Sequence, residues 1–260
     1  MIDTIDWLEW NGVRCTDPAY GMHVLQQPTI TVPNQRLLTV NVPGRSGSLI
    51  LTEAKDVYEN LNISCNAVID DPYMIVDGQN VSRIAKIAGW LRGHGLVKFA
   101  NRPEGFYDAW VANQIPFETI VKGNPHRSFS VQFQAKPYFY LDSGTETTTY
   151  TSTTLITNLG NVPSAPLIKV YGSSEGSISF AGEDGVPSMV VEDFTGINYI
   201  MLDCDAKIAY KGAKDDPLDP LTLLGTRVSG DWLTIPTGTS ALSISGGITS
   251  IELTPRWRCI

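Results

Sequence analysis

Apolar and polar residues alternate along much of this chain, and the alternation changes period only once. Leu61, Ile63, Cys65 and Ala67 are separated by polar or small residues, so 61–69 reads as a strand with one face buried. Residues 36–42 end in the same alternation, and Pro43-Gly44-Arg45-Ser46-Gly47 behind them is a cluster of turn formers. Within 79–92, Val81, Ile84, Ala85, Ala88 and Leu91 recur at spacings of three and four, which predicts a helix. Asn80 is its expected N-cap, Gly93 and Gly95 its expected stops, and Arg83, Lys86 and Arg92 its wet side. Strands are expected again at 96–100, 106–111 and 127–135, the last ended by Lys136-Pro137 because proline cannot donate to a ladder.

From residue 155 no helical pattern recurs. Short apolar runs at 166–171, 176–181, 188–193, 197–203, 206–210, 231–235, 240–245 and 248–254 are separated by Gly, Pro, Asp and Asn, as in a β-sandwich. The threonine-rich stretch 143–154 is the expected junction, or else the first edge strand of the C-terminal half. The chain is therefore expected to be mainly β, with an N-terminal domain over 1–143 that holds the one helix and a C-terminal all-β sandwich over 144–260.

Composition narrows the function classes. Hydrophobic residues are 42% and charged residues 18% of 260, enough apolar material for a packed core. Net charge is −8, split as −2 over 1–143 (12 basic, 14 acidic) and −6 over 144–260 (7 basic, 13 acidic). No basic patch exists to neutralise a phosphate backbone, so duplex DNA is not expected as a bound ligand, whereas DNA sliding past is compatible with like charge. The N-terminus lacks a basic region followed by an apolar one, and no uncharged apolar run is long enough to span a membrane. Cys15, Cys65, Cys204 and Cys259 form no CxxC pair and read as reduced thiols.

Catalytic and cofactor chemistry is not suggested. Gly172-Ser173-Ser174-Glu175-Gly176 matches GxSxG, but a strand-like Ser177-Ile178-Ser179-Phe180 comes after it where a nucleophile elbow needs a helix. His23, His94 and His126 all precede that serine and share no metal-ligand spacing. His94 sits where a helix C-terminus would favour a cation. Asp203 with Asp205, and Asp215, Asp216 and Asp219, could gather oxygen for Ca²⁺, yet a solvated loop is the preferred reading because the EF-hand spacing is absent. Pro43–Ser48 lacks the lysine of a phosphate-binding loop. Trp232, Tyr199 and Tyr210 are aromatic surfaces that could stack on sugars or simply pack a core.

Four stretches, in order, resemble the distal tail protein family of siphophages: Asn41-Val42-Pro43-Gly44-Arg45-Ser46-Gly47-Ser48-Leu49 before the strand 61–69; Phe129 to Tyr140, with Lys136-Pro137 inside it; Asn158-Leu159-Gly160 to Pro166-Leu167; and Thr254-Pro255-Arg256-Trp257-Arg258. The first departs from the family in having Ser46 where Asp or Asn is usual. The resemblance implies a structural, non-enzymatic phage component without cofactor or metal. It implies an N-terminal β-sandwich with a hairpin arm over about 36–69, and a C-terminal galectin-like sandwich. It implies a homo-hexameric ring at the distal end of the virion tail, assembled in the host cytoplasm. The ring would connect the tail tube protein to a tail-associated lysin or adhesin and let DNA pass. Val42, Pro43, Gly44, Arg45, Ser46, Gly47 and Leu49 are the candidate ring contacts. A carbohydrate-binding adhesion module built on 155–260 is the alternative.

Overall fold

The computed structural model describes residues 6–50, 57–71, 75–76, 81–117, 127–182, 186–212 and 219–260. The chain divides into two compact units, Met1–Phe139 with Ile260, and Tyr140–Cys259. The threonine-rich stretch lies just inside the second.

The first unit holds β1 (Leu8–Trp10), β2 (Val13–Arg14), β3 (Met22–Gln26), β4 (Thr39–Val40), β5 (Leu49–Ile50), β6 (Leu61–Ile69), β7 (Ile75–Val76), β8 (Val81–Ser82), α1 (Arg83–Trp90), β9 (His94–Phe99), β10 (Arg102–Val111) and most of β11 (Arg127–Leu141). Its main sheet runs β2-β1-β9-β10-β11-β6-β3. The sheet folds back on itself, since the Val24 N–H at one end donates to Asp6 O beside β1 at the other, at 2.6 Å. The alternation in β6 does what the sequence pattern asks: Leu61, Ile63, Cys65, Ala67 and Ile69 are all buried. They pair in register with β11, Ile63 opposite Phe133 and Cys65 opposite Val131. Trp10 and Phe99 close on Phe133, with ring centroids at 5.4 and 6.0 Å. Burial pushes the Cys15 thiol up to about 11 and that of Cys65 up to about 12, so both are inert packing groups.

Two expectations for this unit are corrected. β11 does not stop at Lys136-Pro137 but continues to Leu141. Its ladder with β6 ends at Ala135 opposite Leu61, so Pro137 lies beyond that ladder and its missing donor costs nothing there. The helix is shorter and turned differently. It starts at Arg83 with Ser82 as N-cap, the Ser82 hydroxyl accepting from the Ala85 N–H, while the expected cap Asn80 lies outside the described residues. Its buried face carries Ile87 and then Leu91; Ala85, Ala88 and Val81 are exposed. Arg83 is not wet: its guanidinium donates to Asp70 O at 2.6 Å and to Pro18 O at 3.1 Å. Trp90 stacks on Tyr20 at 4.5 Å, and its indole N–H reaches Trp10 O at 3.2 Å, which pins the helix to the sheet. Gly93 takes φ +70°, a left-handed residue just past the helix end.

The second unit holds β12 (Thr148–Tyr150), β13 (Thr154–Asn158), β14 (Leu167–Ala181), β15 (Ser188–Val191), β16 (Ile200–Asp203), β17 (Ile208–Lys211), β18 (Thr222–Leu223), β19 (Val228–Gly230), β20 (Gly238–Thr254) and β21 (Arg258–Cys259). The runs expected as separate strands at 166–171 and 176–181 are one strand, β14, and those at 240–245 and 248–254 are one strand, β20. These two pair along nearly their whole length and shift register between Tyr171 and Gly176. One half of the ribbon carries β12 and β16, the other β13 and β15, so the same two strands serve both sheets. Glycines permit the bend. Gly246 has φ +70°, and a Cβ on it would sit 2.5 Å from Glu175 O. Residues from both halves, Ile168, Val170, Ile178, Phe180, Ile251 and Leu253 among them, enter one core. The expected strand at 231–235 is a single bridge instead, with Ser164 and Ile235 exchanging hydrogen bonds at 3.0 and 2.9 Å.

Candidate assembly site

Residues 34–50 and 57–59 leave the first sheet as a narrow arm. At its base Gln35 bridges Tyr58, the Arg36 N–H donates to Val57 O, and the Glu59 N–H donates to Asn34 O, both at 2.8 Å. Tyr58 meets Tyr138 of β11 edge to face at 6.2 Å, which fixes the base to the sheet. Further out, Thr39 pairs with Ile50 and Val40 with Leu49. Residues 51–56, which the expected arm includes, lie outside the described residues.

The tip owes its shape to its sequence. Pro43 presets its own φ, Gly44 takes φ +81°, and the Arg45 N–H returns to Val42 O at 3.2 Å. Proline then a left-handed glycine closed by that bond is a type II turn. Gly47 at φ +78° makes the second reversal, and the Ser48 hydroxyl donates to Asn41 Oδ1 at 2.7 Å across the hairpin. A short residue that bonds locally is what the turn needs, and Ser48 supplies it.

The arm alternates apolar and polar positions, and its apolar side chains are exposed. Leu38, Val40 and Val42 share one face and are 62%, 40% and 40% exposed, with Leu49 across from Val40; Ile50, across from Thr39, is on the other face and 57% exposed. Leu37 and, on the segment entering the arm, Ile30 and Val32 are exposed too. A continuous apolar stripe of this kind on an open strand edge marks a contact surface. Of the candidate ring contacts, Val42, Pro43, Gly44, Arg45, Ser46 and Gly47 are exposed and Leu49 is partly covered. Leu38 and Val40 share the face of Val42, and Ile50 adds exposed apolar surface on the other face. The turn residues alone do not point to these three, although the alternation Leu38-Thr39-Val40-Asn41-Val42 is the signal that could.

The residues with candidate chemistry lie elsewhere. Gly172–Gly176 is the bend of the ribbon, inside a strand, where a nucleophile elbow would need a helix to begin. His94 is paired with Asp108, which also takes Lys136 at 2.8 Å, and its ring meets Trp110. His23 lies against Asp6 at 2.7 Å, and His126 falls outside the described residues. Asp203 accepts two bonds from Arg256, at 2.8 and 3.1 Å, and two from the N–H groups of Asp205 and Ala206. Asp205 faces Arg258 at 3.6 Å. The acidic pair is thus the socket for the two arginines of Thr254–Arg258, in which Arg256 is held at φ +54°. Although burial pushes the Asp203 carboxyl up, the Arg256 bonds and the two N–H groups hold it below its ordinary range. Asp219 accepts from the Tyr199 hydroxyl at 2.8 Å, while Asp215 and Asp216 lie outside the described residues. The Tyr199 ring already carries the Lys169 ammonium at 4.5 Å, and Trp232 lies apart from it, packed against the core.

No family model matches the sequence, and no curated protein sequence matches it. Solved structures do match. The SPP1 Dit protein, described as a paradigm of the hub adsorption apparatus in phages that infect Gram-positive bacteria, superposes with a TM-score of 0.61 at 15% identity, over 96% of this chain and 98% of that one. This chain has the fold of a phage distal tail protein. A chain of the phage P2 baseplate in its activated conformation with Ca matches at a TM-score of 0.51 and 10% identity, over 95% of this chain and 97% of that one. The same baseplate with Sr matches at 0.50 and 9%, over 96% and 98%. Coverage this complete means that both units belong to the shared distal tail fold. At such identities it is the arrangement of strands that is shared, not the side chains.

Proposed function

We propose that the protein is a structural hub of a phage tail, a distal tail protein and not an enzyme. In this reading six copies close into a ring at the distal end of the tail. The ring joins the tail tube to the lysin or adhesin apparatus and leaves a channel for DNA. The observation that carries the reading is the arm: an exposed apolar face over Leu38, Val40 and Val42, with Ile50 exposed on the other face, on a fold shared over 96% of the chain with a phage hub protein. A bare, directional strand edge suits a heterologous contact, in which each copy passes its arm to the next and rotation closes the set. The net charge of −8 suits a surface past which DNA slides without sticking.

Light scattering on the purified chain, with negative-stain images of the same fraction, tests this. Six chains of 28.4 kDa give about 170 kDa and a ring outline. Deleting residues 42–50 should leave a folded monomer of unchanged circular dichroism and no ring. A ring that survives the deletion would remove the arm from the reading, and a chain that stays monomeric at every concentration, alone and with tail tube protein, would remove the hub.

A further inference from the structure

The second unit is open along one side. The nine-stranded sheet branches, one branch ending on β18 and another on β19, and among the described residues β18 pairs only with β17 and β19 only with β15. The short turn Gly225–Arg227 links the two ends. Register fixes which backbone groups are left over. The Leu224 N–H donates to Ala209 O at 2.8 Å, so the groups of Leu223 point away from β17. The Asp231 N–H donates to Ser188 O and the Glu192 N–H to Arg227 O, both at 2.9 Å, so those of Val228 and Gly230 point away from β15. Between these edges lies a groove of about 300 Å³ lined by Leu223, Val228, Gly230, Ile208 and Trp232, with the buried Met189 in its lining.

We propose that this groove binds an extended segment of a partner polypeptide, which adds as a strand to β19 and sets one bulky apolar side chain against Trp232. Three features select that occupant. The outward groups of Val228 and Gly230 repeat two residues apart, about 7 Å, the repeat of an extended chain. The pocket beside them is open and lined mainly by apolar side chains, with Lys207 and Ser229 also in its lining, a place for a side chain reached from an edge and not an enclosed site for a free small molecule. Residues 144–260 carry a net charge of −6, which favours neutral or basic flanks beyond the groove, whose own lining carries one charged side chain, Lys207. This face is distant in sequence from the arm, and its occupancy does not depend on ring closure.

The test uses the full chain and fluorescein-labelled peptides of the form Lys-Thr-X-Thr-X-Thr-Lys, with X as Leu, Ile, Val, Phe or Met, read by anisotropy. At least one peptide should bind saturably. Methylating its alternate backbone amides should weaken binding tenfold or more, because the donors facing β19 are lost. Leu223→Glu, at a residue 68% exposed and so harmless to folding, should weaken it similarly, while Leu155→Glu, comparably exposed on another edge, should leave it unchanged. The proposal is overturned if no peptide binds by about 1 mM. Equal binding of the methylated peptide, or indifference to Leu223→Glu, overturns it as well.

Discussion

The arm hairpin and the β14–β20 ribbon are built by the same rules and end in opposite states. Both are antiparallel pairs turned by left-handed glycines. In the ribbon the apolar positions Ile168, Val170, Ile178 and Phe180 find a core and are fully buried; in the arm Leu38, Val40 and Val42 alternate just as regularly and stay in water. Alternation states only that one face wants cover. Whether the cover comes from the same chain is decided by what folds opposite it, so a regular stripe left bare in a finished fold is a statement about another molecule.

That contrast breaks first in the ribbon. Phe180 is wholly buried between the two halves of the second unit. Phe180→Ala should cost about 3–5 kcal/mol, read as a lower urea midpoint, because the cavity cannot collapse across two paired sheets. A loss below about 1 kcal/mol would mean that the ribbon is not the centre of its core.

The glycines sharpen it next. Gly246 has φ +70° with Glu175 O 2.5 Å from where a Cβ would go, whereas Gly47 has φ +78° and open space around it. Gly246→Ala should cost about 2–3 kcal/mol, from conformation and collision together, and Gly47→Ala about 1 kcal/mol from conformation alone. Equal costs from parallel urea melts would show that the bend can open.

The Asp203–Arg256 socket belongs to the second unit. Its two bonds join half-buried groups, so Asp203→Asn should cost about 1–2 kcal/mol at pH 7. The carboxyl is held below its unfolded value, so its contribution is complete above the unfolded pKa of about 4 and fades as pH falls through the folded pKa. The gap between wild type and Asp203→Asn should therefore shrink below about pH 4, and a gap that widened there would reverse the assignment.

Legibility in the sequence divides along the same line. Strand β6 and the absence of a helical pattern after residue 155 were legible because local alternation and composition decide them. The helix face was legible only in part: the spacing points to Val81, Ile84, Ala85, Ala88 and Leu91, of which Leu91 is buried, while Ile87 is the side chain the position of the sheet selects. The single strands β14 and β20 read as pairs because Gly172, Gly176 and Gly246 look like stops, and only cross-strand register shows them to be bends. Asp203 and Asp205 read as a solvated loop, because nothing local shows that Arg256 and Arg258, about fifty residues on, pair with them. The turn of the arm was legible in full, since Pro43-Gly44 needs no distant partner, but the extent of its apolar face was not, since nothing local distinguishes a stripe that will be buried from one that will wait.

The smallest effect on the isolated chain is the most telling. In Leu38→Ser with Val40→Ser, two side chains that are 62% and 40% exposed lose apolar surface of which a large part lies open. Unfolding stability should therefore move by less than about 0.5 kcal/mol, the range of surface substitutions. Assembly should move a great deal, because the same surface would be covered in every copy of a closed ring and the loss repeats at each contact. The expected result is a chain that melts like wild type and runs as a monomer by light scattering where wild type gives the ring mass. If the variant instead unfolds earlier, the arm is packed on its own chain in solution and the stripe is core. If it melts and assembles as before, the stripe is surface without a partner, and what separates the arm from the ribbon is exposure alone.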